Sequence, residues 1–509
     1  MTSRETNDEE DDEDVEVEAA SRPRSRRLVL RVADNFVIFL FFAPVMLSAF
    51  FLGAVRDWAW STMAVAMSLV SVLVALGFGV GGGFGAGGGL ATASGFDVSE
   101  RERRPLLVLI ACFGLFLAFA FLQMSSIAPA SGSAWLYAAA LRILGRAHAA
   151  VPDLAIDAAR NTLIRSVTCG LIFLMARAIC KDRGHARMLL MLLVASAAAI
   201  VGYALLMQMT THSCYAGGYL KKLGPYDIGS RCLMSGTFMN SNSFACYVGM
   251  ALVAALALIL SSRRREVSNR YNAPAERAFD SVLTGSRVVL VAIAFFLLGG
   301  LLLSASRAGF AASAAGALAL ALLLLRGRWR QRPDLVRWFW IGFAILLVLG
   351  LIAGGAMLSK VARASDASVR VAIWLASIEA ITLSPWLGWG LGSFTDIFTM
   401  LQPSSITQPN NRAHSTPLEV MVELGVIGAL PAFALVLIPL GVSLRGAIRR
   451  TYRHRILPAA VFAIVAIPIL HSMVDFSLQI PAIAYLVSAL LGMGWAQAFR
   501  RGKSARRPR

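Results

Sequence analysis

The chain has 509 residues, of which 57% are hydrophobic and only 15% are charged, and its mean hydropathy is +0.66. A soluble protein carries about 25% charged residues, so this composition excludes an ordinary soluble domain and indicates a membrane protein. The formal net charge of +19 does not indicate nucleic-acid binding, because the lysines and arginines are spread over alternate connections and do not form one patch.

Residues 1–31 are predicted to form a disordered cytoplasmic tail that is first acidic and then basic. Residues 1–20 hold ten acidic residues and one arginine, with few apolar side chains. The basic segment RPRSRR follows directly. The first apolar run begins near Val32 and has full spanning length, so we expect no cleavable signal peptide.

Residues 32–500 are predicted to form an all-α transmembrane domain with about twelve helices. The apolar runs of about 17–22 residues are continuous rather than alternating, and each can cross a hydrocarbon core of roughly 30 Å as a helix. The predicted spans are 34–55, 59–79, 105–123, 161–180, 188–208, 243–261, 288–304, 309–325, 338–357, 421–444, 456–474 and 481–499. A basic cytoplasmic tail, 501–509, follows the last span.

Basic clusters follow every second span, which predicts an even number of spans with both termini in the cytoplasm. The opposite face then holds the connections near 124–160, 209–242, 304–308, 358–420 and 475–480. The longest of these, 358–420, is predicted to be a periplasmic loop that carries short helices.

Two further segments have simpler interpretations. The glycine-rich stretch 77–89 lacks the Lys-Ser/Thr ending and the preceding strand of a phosphate-binding loop, so we interpret it as a flexible linker. Cys214 and Cys232 share one polar connection, where they could form a disulfide or remain two free thiols.

Two arginines on the predicted outer face are candidate substrate-binding residues. Arg307 lies in SRAG, in a short connection between two spans, and Arg370 is followed one helical turn later by Trp374 and then by SPWLGWGLGSF. A guanidinium can hold a phosphate in a bidentate grip, and an arginine beside interfacial aromatics could bind a diphosphate and a sugar ring. The structural alternatives are a snorkelling anchor for Arg307 and an amphipathic surface helix for Arg370.

The segment NNRAHSTPLEVMVELG carries His414 directly before a predicted helix. A histidine with an ordinary pKa near 6.5 can accept a proton from a hydroxyl. Glu419 and Glu423 are four residues apart and share one helix face, so a carboxylate could orient the histidine, and Arg412 is a further candidate for substrate binding. The alternative is a loop histidine at a helix start, and no cluster shows metal-ligand spacing.

Two polar pairs lie at span edges on the same face. GTFMNSNSFA places Asn240 and Asn242 at the start of a span, and HSMVDFSLQIPA places His471 and Asp475 one turn apart. Polar residues this close to the hydrocarbon are costly and often functional, so all four are candidate substrate-binding residues. Helix capping is the structural alternative for the asparagines.

Together, these segments resemble the O-antigen ligase and polymerase family of bacterial envelope glycosyltransferases. The resemblance covers roughly residues 230–482, with the motifs in family order on one predicted face. They are GTFMNSNSFA at 236–245, SRAG at 306–309, the Arg370–Trp374–GWGLGSF stretch, AHSTPLEVMVELGVIG at 413–428 and HSMVDFSLQIPA at 471–482.

The resemblance implies a glycosyltransferase that uses no metal, no other cofactor and no nucleotide sugar. Members move glycan from an undecaprenyl-diphosphate carrier to an acceptor hydroxyl on the periplasmic side of the inner membrane. The acceptor is lipid A–core in ligases and a second lipid-linked glycan in polymerases. By motif position, Arg307 and Arg370 correspond to the diphosphate-binding arginines and His414 to the loop histidine, with Glu419 and Glu423 as further catalytic candidates. We expect Arg307, Arg370 and His414 to face one common cavity.

Two alternatives to the ligase stay open. A polymerase of the same family would use the same chemistry on a different acceptor. A flippase or transporter for lipid-linked sugars would need charges inside several spans, lining a path through the bilayer. The middle regions of the predicted spans hold few charges, which favours an enzyme.

Overall fold

The computed structural model describes residues 39, 41–79, 98–125, 155–211, 234–262, 287–326, 337, 363–404, 406 and 410–500. Within these ranges the chain forms α-helices, short 3-10 helices and turns, without a strand, which confirms the all-α prediction. Several predicted features lie outside the described residues. These are the tails 1–31 and 501–509, the glycine-rich stretch from residue 80 onward, the span 338–357, Cys214 and Cys232.

A short apolar helix, Phe41–Phe50, precedes the longer helices. The helices that follow in chain order are α1 (Asp57–Gly79), α2 (Glu100–Met124), α3 (Ile156–Ile179), α4 (Arg183–Thr211), α5 (Ser241–Ser262), α6 (Arg287–Leu303), α7 (Arg307–Leu325), α8 (Arg363–Leu383), α9 (Phe394–Leu401), α10 (Thr416–Arg449), α11 (Tyr452–His471) and α12 (Pro481–Phe499).

Eight of the helices in the described ranges, α2–α5, α7 and α10–α12, are long and apolar enough to cross a membrane. The chain is therefore a multi-pass membrane protein. Phe41–Phe50 and α6 are shorter apolar helices, so the total of about twelve spans stays a prediction, as does the side on which each terminus lies. Helices α8 and α9 fall within the segment 358–420, where the sequence predicted helices outside the bilayer.

The predicted first span, 34–55, differs from the described helix. The backbone leaves the helical region at Leu52, Gly53 and Ala54, whose φ angles are 55°, 67° and 57°. Left-handed angles at two residues with side chains are uncommon, and they end the helix well short of residue 55. Hydropathy alone could not place this break, because the residues on both sides of it are apolar.

The bundle is built around α5 and α12, whose most apolar stretches are 83% and 78% buried, whereas those of α2 and α10 are 22% and 28% buried. Small residues allow the central helices to approach closely, as is common in membranes. A Cβ atom at Gly316 of α7 would collide with α11, and one at Gly492 of α12 would collide with the α3 backbone. The outer faces of α2 and α10 are left to contact lipid.

A buried ion pair fixes one end of the bundle. Arg177 Nε donates to Glu102 Oε1 at 2.6 Å, and Trp495 Nε1 donates to the same oxygen at 2.9 Å. These residues lie at the start of α2 and near the ends of α3 and α12. The other ends of the same three helices therefore meet at the opposite end of the bundle, where all the candidate site residues lie.

Candidate active site

A buried carboxylate, Asp475, joins three connections at this end of the bundle. Asn242 Nδ2 donates to Asp475 Oδ2 at 2.5 Å, and the Phe476 amide donates to Asp475 Oδ1 at 2.7 Å. Ser306 Oγ donates to Asn242 Oδ1 at 2.7 Å. The chain of bonds ties the start of α5 and the α6–α7 turn to the α11–α12 connection, and Asp475 forms no ion pair with another described residue.

The two asparagines have different roles. Asn240 Oδ1 accepts a hydrogen bond from the Ser243 amide at 2.7 Å, so Asn240 caps the N-terminus of α5, as the structural alternative for this pair held. Asn242, one residue into the helix, instead orients Asp475. The sequence could not separate the two, because both are polar and both lie at the helix start.

Arg307 is the first residue of α7 and is exposed. The residue before it, Ser306, is the N-cap, and its Oγ accepts from the Gly309 amide at 3.2 Å. The Arg307 side chain forms no hydrogen bond or ion pair with another described residue. Its guanidinium therefore has all of its donors available to an anion, one residue away from the Ser306–Asn242–Asp475 chain.

His414 lies in the connection between α9 and α10, with φ at 49° in the left-handed region. Its ring packs edge-on against Phe476, with 5.3 Å between the ring centroids. Its Nδ1 is buried and has no hydrogen-bond partner among the described residues. A non-glycine residue in this conformation carries backbone strain that often accompanies a functional constraint.

Three charged groups act on the imidazole of His414. Burial of the ring lowers the pKa of His414 below its ordinary value of 6.5. Asp475 and Glu419 raise this pKa, and the Arg370 guanidinium lowers it. Because burial is the largest of these effects, His414 is neutral at pH 7 and can accept a proton.

Arg370 reaches the same region from α8. Its Nη1 donates to the Val474 carbonyl at 3.2 Å, directly before Asp475. Trp374 is half-buried one turn later in α8, and its Nε1 is buried without a partner among the described residues. His471 is also buried here, with Nδ1 2.7 Å from Ser477 Oγ and Nε2 unpartnered within the described part of the chain.

Glu419 holds the residues before His414 rather than the histidine itself. Glu419 Oε1 accepts from Arg412 Nη1 at 2.9 Å, and Glu419 Oε2 accepts from the Ala413 amide at 2.9 Å. Arg412 Nη1 also donates to Gln479 Oε1 at 2.9 Å. The sequence predicted that a carboxylate on this helix face could orient His414, and Glu423 faces the amides of Gly392 and Phe394.

A break in α10 sets the position of these glutamates. Gly425 has φ 58° and ψ −171° inside the helix. The turn 385–390 packs against this break. Two of its amides donate hydrogen bonds to α10 carbonyls, and two α10 amides donate to its carbonyls. The four bonds are Trp389 N to Val422 O at 3.0 Å, Gly390 N to Glu423 O at 3.0 Å, Val426 N to Pro385 O at 2.8 Å and Ile427 N to Trp386 O at 3.2 Å.

The turn 385–390 thus holds α10 through backbone hydrogen bonds. Gly388 has φ at +68°, and a Cβ there would collide with the Gly425 backbone. The two tryptophans of the turn 385–390 also differ: Trp386 is 64% exposed, whereas Trp389 is 2% exposed and donates from Nε1 to the Ala380 carbonyl at 2.8 Å. The exposed Trp386 stays a candidate for the membrane interface, whereas Trp389 is a core residue.

A cavity of about 930 Å³ lies beside this cluster, between α2, α3, α10 and α12. Of the predicted site residues, Arg412, Glu419 and Glu423 line it. Arg307, Arg370 and His414 do not line this cavity, so the expectation that these three face one cavity stays a prediction. The bonds from Glu419 to Arg412 and Ala413 connect the cavity wall to the His414 loop.

The sequence reasoning missed Arg165 and Tyr485, which also line the cavity. Arg165 lies inside the candidate span α3, and this unpaired charge was the available signal. Arg177, near the end of α3, has its partner in Glu102. The prediction that the spans hold few charges therefore overlooked one with no ion-pair partner in the described ranges.

Residues 292–433 match the family model described as O-antigen ligase. This segment is similar to that family, and the match covers less than half of the chain. No curated protein matches the chain. The matched segment contains Arg307, Arg370 and His414, together with Trp374, Arg412, Glu419 and Glu423. Asn242 and Asp475 lie outside it and complete the cluster from α5 and from the α11–α12 connection.

Proposed function

We propose that the protein is a membrane glycosyltransferase of the O-antigen ligase family, located in the bacterial inner membrane with its active site on the periplasmic face. It transfers glycan from an undecaprenyl-diphosphate carrier to an acceptor hydroxyl. The observation that carries the proposal is the neutral, half-buried His414, held in a left-handed conformation beside Arg370 and Asp475 within the matched family segment.

His414 is the proposed general base. It takes the proton of the acceptor hydroxyl, a contribution of about 10²- to 10⁴-fold in comparable enzymes. The charge of Asp475 stabilises the imidazolium that results, because the carboxylate favours the protonated ring. Asn242 keeps this carboxylate in place by its hydrogen bond.

Arg307 and Arg370 are the proposed diphosphate-binding residues, and Trp374 is placed to stack on a sugar ring. The acceptor oxygen attacks the anomeric carbon, and the bond from that carbon to the diphosphate oxygen breaks with its electron pair left on the diphosphate. Two guanidinium groups stabilise the charge that develops there, an effect worth several kcal/mol in a site that excludes water. Direct attack of this kind inverts the anomeric centre and needs no covalent glycosyl-enzyme.

The acceptor separates a ligase from a polymerase. The description of the matched family favours a ligase, with lipid A–core as acceptor. A deletion strain tests the choice. Full-length glycan left on the lipid carrier is the result expected for a ligase, and accumulation of single repeat units is the result expected for a polymerase that uses a second lipid-linked glycan.

A transfer assay tests the enzyme class itself. Purified full-length protein in detergent is incubated with undecaprenyl-diphosphate-linked glycan and lipid A–core, and the products are separated by mass. We expect a new glycosidic bond between glycan and acceptor. A flippase would form no new bond, and that outcome would contradict the proposal.

A further inference from the structure

Arg165 is a cation inside an apolar span that forms no close ion pair, although it interacts electrostatically with the exposed Asp57. It lies nine residues after the start of α3, or about 14 Å along the helix. Its guanidinium stacks on the Trp60 ring, with Cζ 4.6 Å from the ring centroid. It forms no ion pair with another described residue, and its Nε is buried without a hydrogen-bond partner among them. A charge at such a position is costly and usually marks a functional site.

A second buried donor faces the same cavity. Tyr485 of α12 is 1% exposed, and its hydroxyl has no hydrogen-bond partner among the described residues. Arg165 and Tyr485 interact electrostatically, and Arg165 is also repelled by Arg412. All three line the 930 Å³ cavity. Arg412 is already paired with Glu419, and Glu423 also lines the cavity. The unpartnered groups are therefore Arg165 Nε and the Tyr485 hydroxyl, and they fit an anionic ligand because buried polar groups otherwise find partners.

The rest of the cavity fits a hydrocarbon chain. Its lining runs along α2 from Leu106 to Phe116 and along α3 from Ala158 to Leu174, which correspond to about 15 Å and 24 Å of helix. The lining side chains on α2 are all leucine, isoleucine or phenylalanine, whereas the lining of α3 is polar from Asn161 to Ser166 and largely apolar beyond it. The polar groups gather at the end nearer the Asp475 cluster. An amphiphile with one anionic end and one long apolar chain matches this distribution.

We propose that this cavity is a second lipid-binding site, in which a lipid phosphate pairs with Arg165 and accepts a hydrogen bond from the Tyr485 hydroxyl while its chain lies between α2, α3 and α12. The site is separate from the donor site that we assign to Arg307 and Arg370, since neither lines the cavity. Its use as the acceptor site rests on the proposed function, because transfer between two lipid-linked glycans needs two lipid sites. Phosphate binding at Arg165 does not rest on it.

The phosphate-headed lipid could be the polyprenyl carrier, an acylated phospho-sugar lipid or a bilayer phospholipid, and the test separates these sources. Full-length protein carrying Arg307→Gln and Arg370→Gln, so that the donor site is disabled, is delipidated in detergent. It is then titrated in native mass spectrometry with undecaprenyl phosphate, lipid A, phosphatidylglycerol and the phosphate-free lipid diacylglycerol. The tightest of the three phosphate-headed probes identifies the source.

We expect Arg165→Gln in this background to weaken binding of the tightest phosphate-headed probe at least tenfold and to leave diacylglycerol binding unchanged. Arg165→Lys, which keeps the charge, should recover most of the loss. If Arg165→Gln proves unstable, Tyr485→Phe keeps the apolar wall and removes only the hydroxyl, and should weaken binding about twofold to tenfold. Equal binding by the parent and both variants, or diacylglycerol binding as tight as that of the phosphate lipids, would overturn the site.

The transfer assay keeps this result apart from the proposed function. Absence of glycan transfer together with Arg165-dependent lipid binding would leave the second site standing and remove the enzyme. Transfer by the wild-type protein together with lipid binding that does not depend on Arg165 would support the enzyme and rule out the second site.

Discussion

Replacement of Glu419 by glutamine tests how the His414 loop is held. The carboxylate accepts one bond from Arg412 and one from the Ala413 amide, both at 2.9 Å. A glutamine of the same shape offers only one oxygen, so one of these donors loses its partner. A hydrogen bond to a charged group contributes about 1.5–3 kcal/mol, and the lower value applies here because the Arg412 side chain is 35% exposed and can recover water.

A loss of about 1.4 kcal/mol corresponds to a factor of ten, so we expect kcat for glycan transfer to fall about tenfold in Glu419→Gln. The acid limb of the pH profile of kcat/KM should also move to lower pH, because the Glu419 charge raises the pKa of His414 and its removal lets that pKa fall further. A purely structural defect would lower activity without moving the limb.

Glu379→Gln is the matched control. It removes the same charge from an exposed position on α8, in the same segment of the chain. We expect its kcat and pH profile to equal those of the wild type. Equal behaviour of Glu419→Gln and Glu379→Gln, or a limb that moves to higher pH in Glu419→Gln, would refute the role given to Glu419.

Three further predictions concern the same end of the bundle. Because the pKa of His414 is lowered, wild-type kcat/KM should decline only below pH 6.5. Arg370 lowers this pKa, so Arg370→Gln should move the midpoint of the decline to higher pH in a pH–rate series. An unchanged midpoint would show that the two residues are not coupled. Gly388→Ala places a side chain at positive φ against the Gly425 backbone and should cost at least about 1–2 kcal/mol, seen as a lower unfolding temperature, whereas Gly299→Ala meets no atom within 4 Å and should not lower it. Asn242→Ala removes a donor from the buried carboxylate that it holds and should destabilise the protein by about 1–3 kcal/mol; wild-type stability and activity in this variant would show that the bond contributes nothing.

The sequence could identify the polar face but not the partners within it. Asn242 and Asp475 are 233 residues apart, and each was a candidate only because polar residues beside hydrocarbon are costly. Which side chain meets which depends on the packing of α5 against α11, and that packing follows from small residues whose contacts cannot be read from hydropathy. The same limit explains why Asn240 and Asn242 looked equivalent.

The two glutamates show that helical periodicity predicts a shared face but not the hydrogen-bond partners of each residue. Residues four apart do share a face, and both Glu419 and Glu423 line the cavity. Their bonding partners differ because α10 breaks at Gly425 and the 385–390 turn packs into the break. Glycine and proline in and before GWGLG are typical of a turn, but only the three-dimensional contacts show that this turn completes the hydrogen bonds of another helix.

Arg165 is a residue that the sequence could have identified as a candidate, because it is a charged residue inside a predicted span. Positive charges at span ends normally set topology, and an arginine near the start of a span has that ordinary explanation. The structure argues against that explanation, because Arg165 lines a cavity and stacks on Trp60 and forms no close ion pair with another described residue. Burial and pairing, rather than position in the sequence, decide which arginines have a topological role.

The most direct measurement is glycan transfer by purified His414→Ala and Arg307→Ala variants in detergent, with undecaprenyl-diphosphate-linked glycan as donor and lipid A–core as acceptor. We predict that His414→Ala lowers the rate of transfer by about 10²- to 10⁴-fold and still binds the donor, and that Arg307→Ala loses both donor binding and transfer. Full transfer activity in both variants would contradict the assignment of the general base and of the diphosphate-binding site.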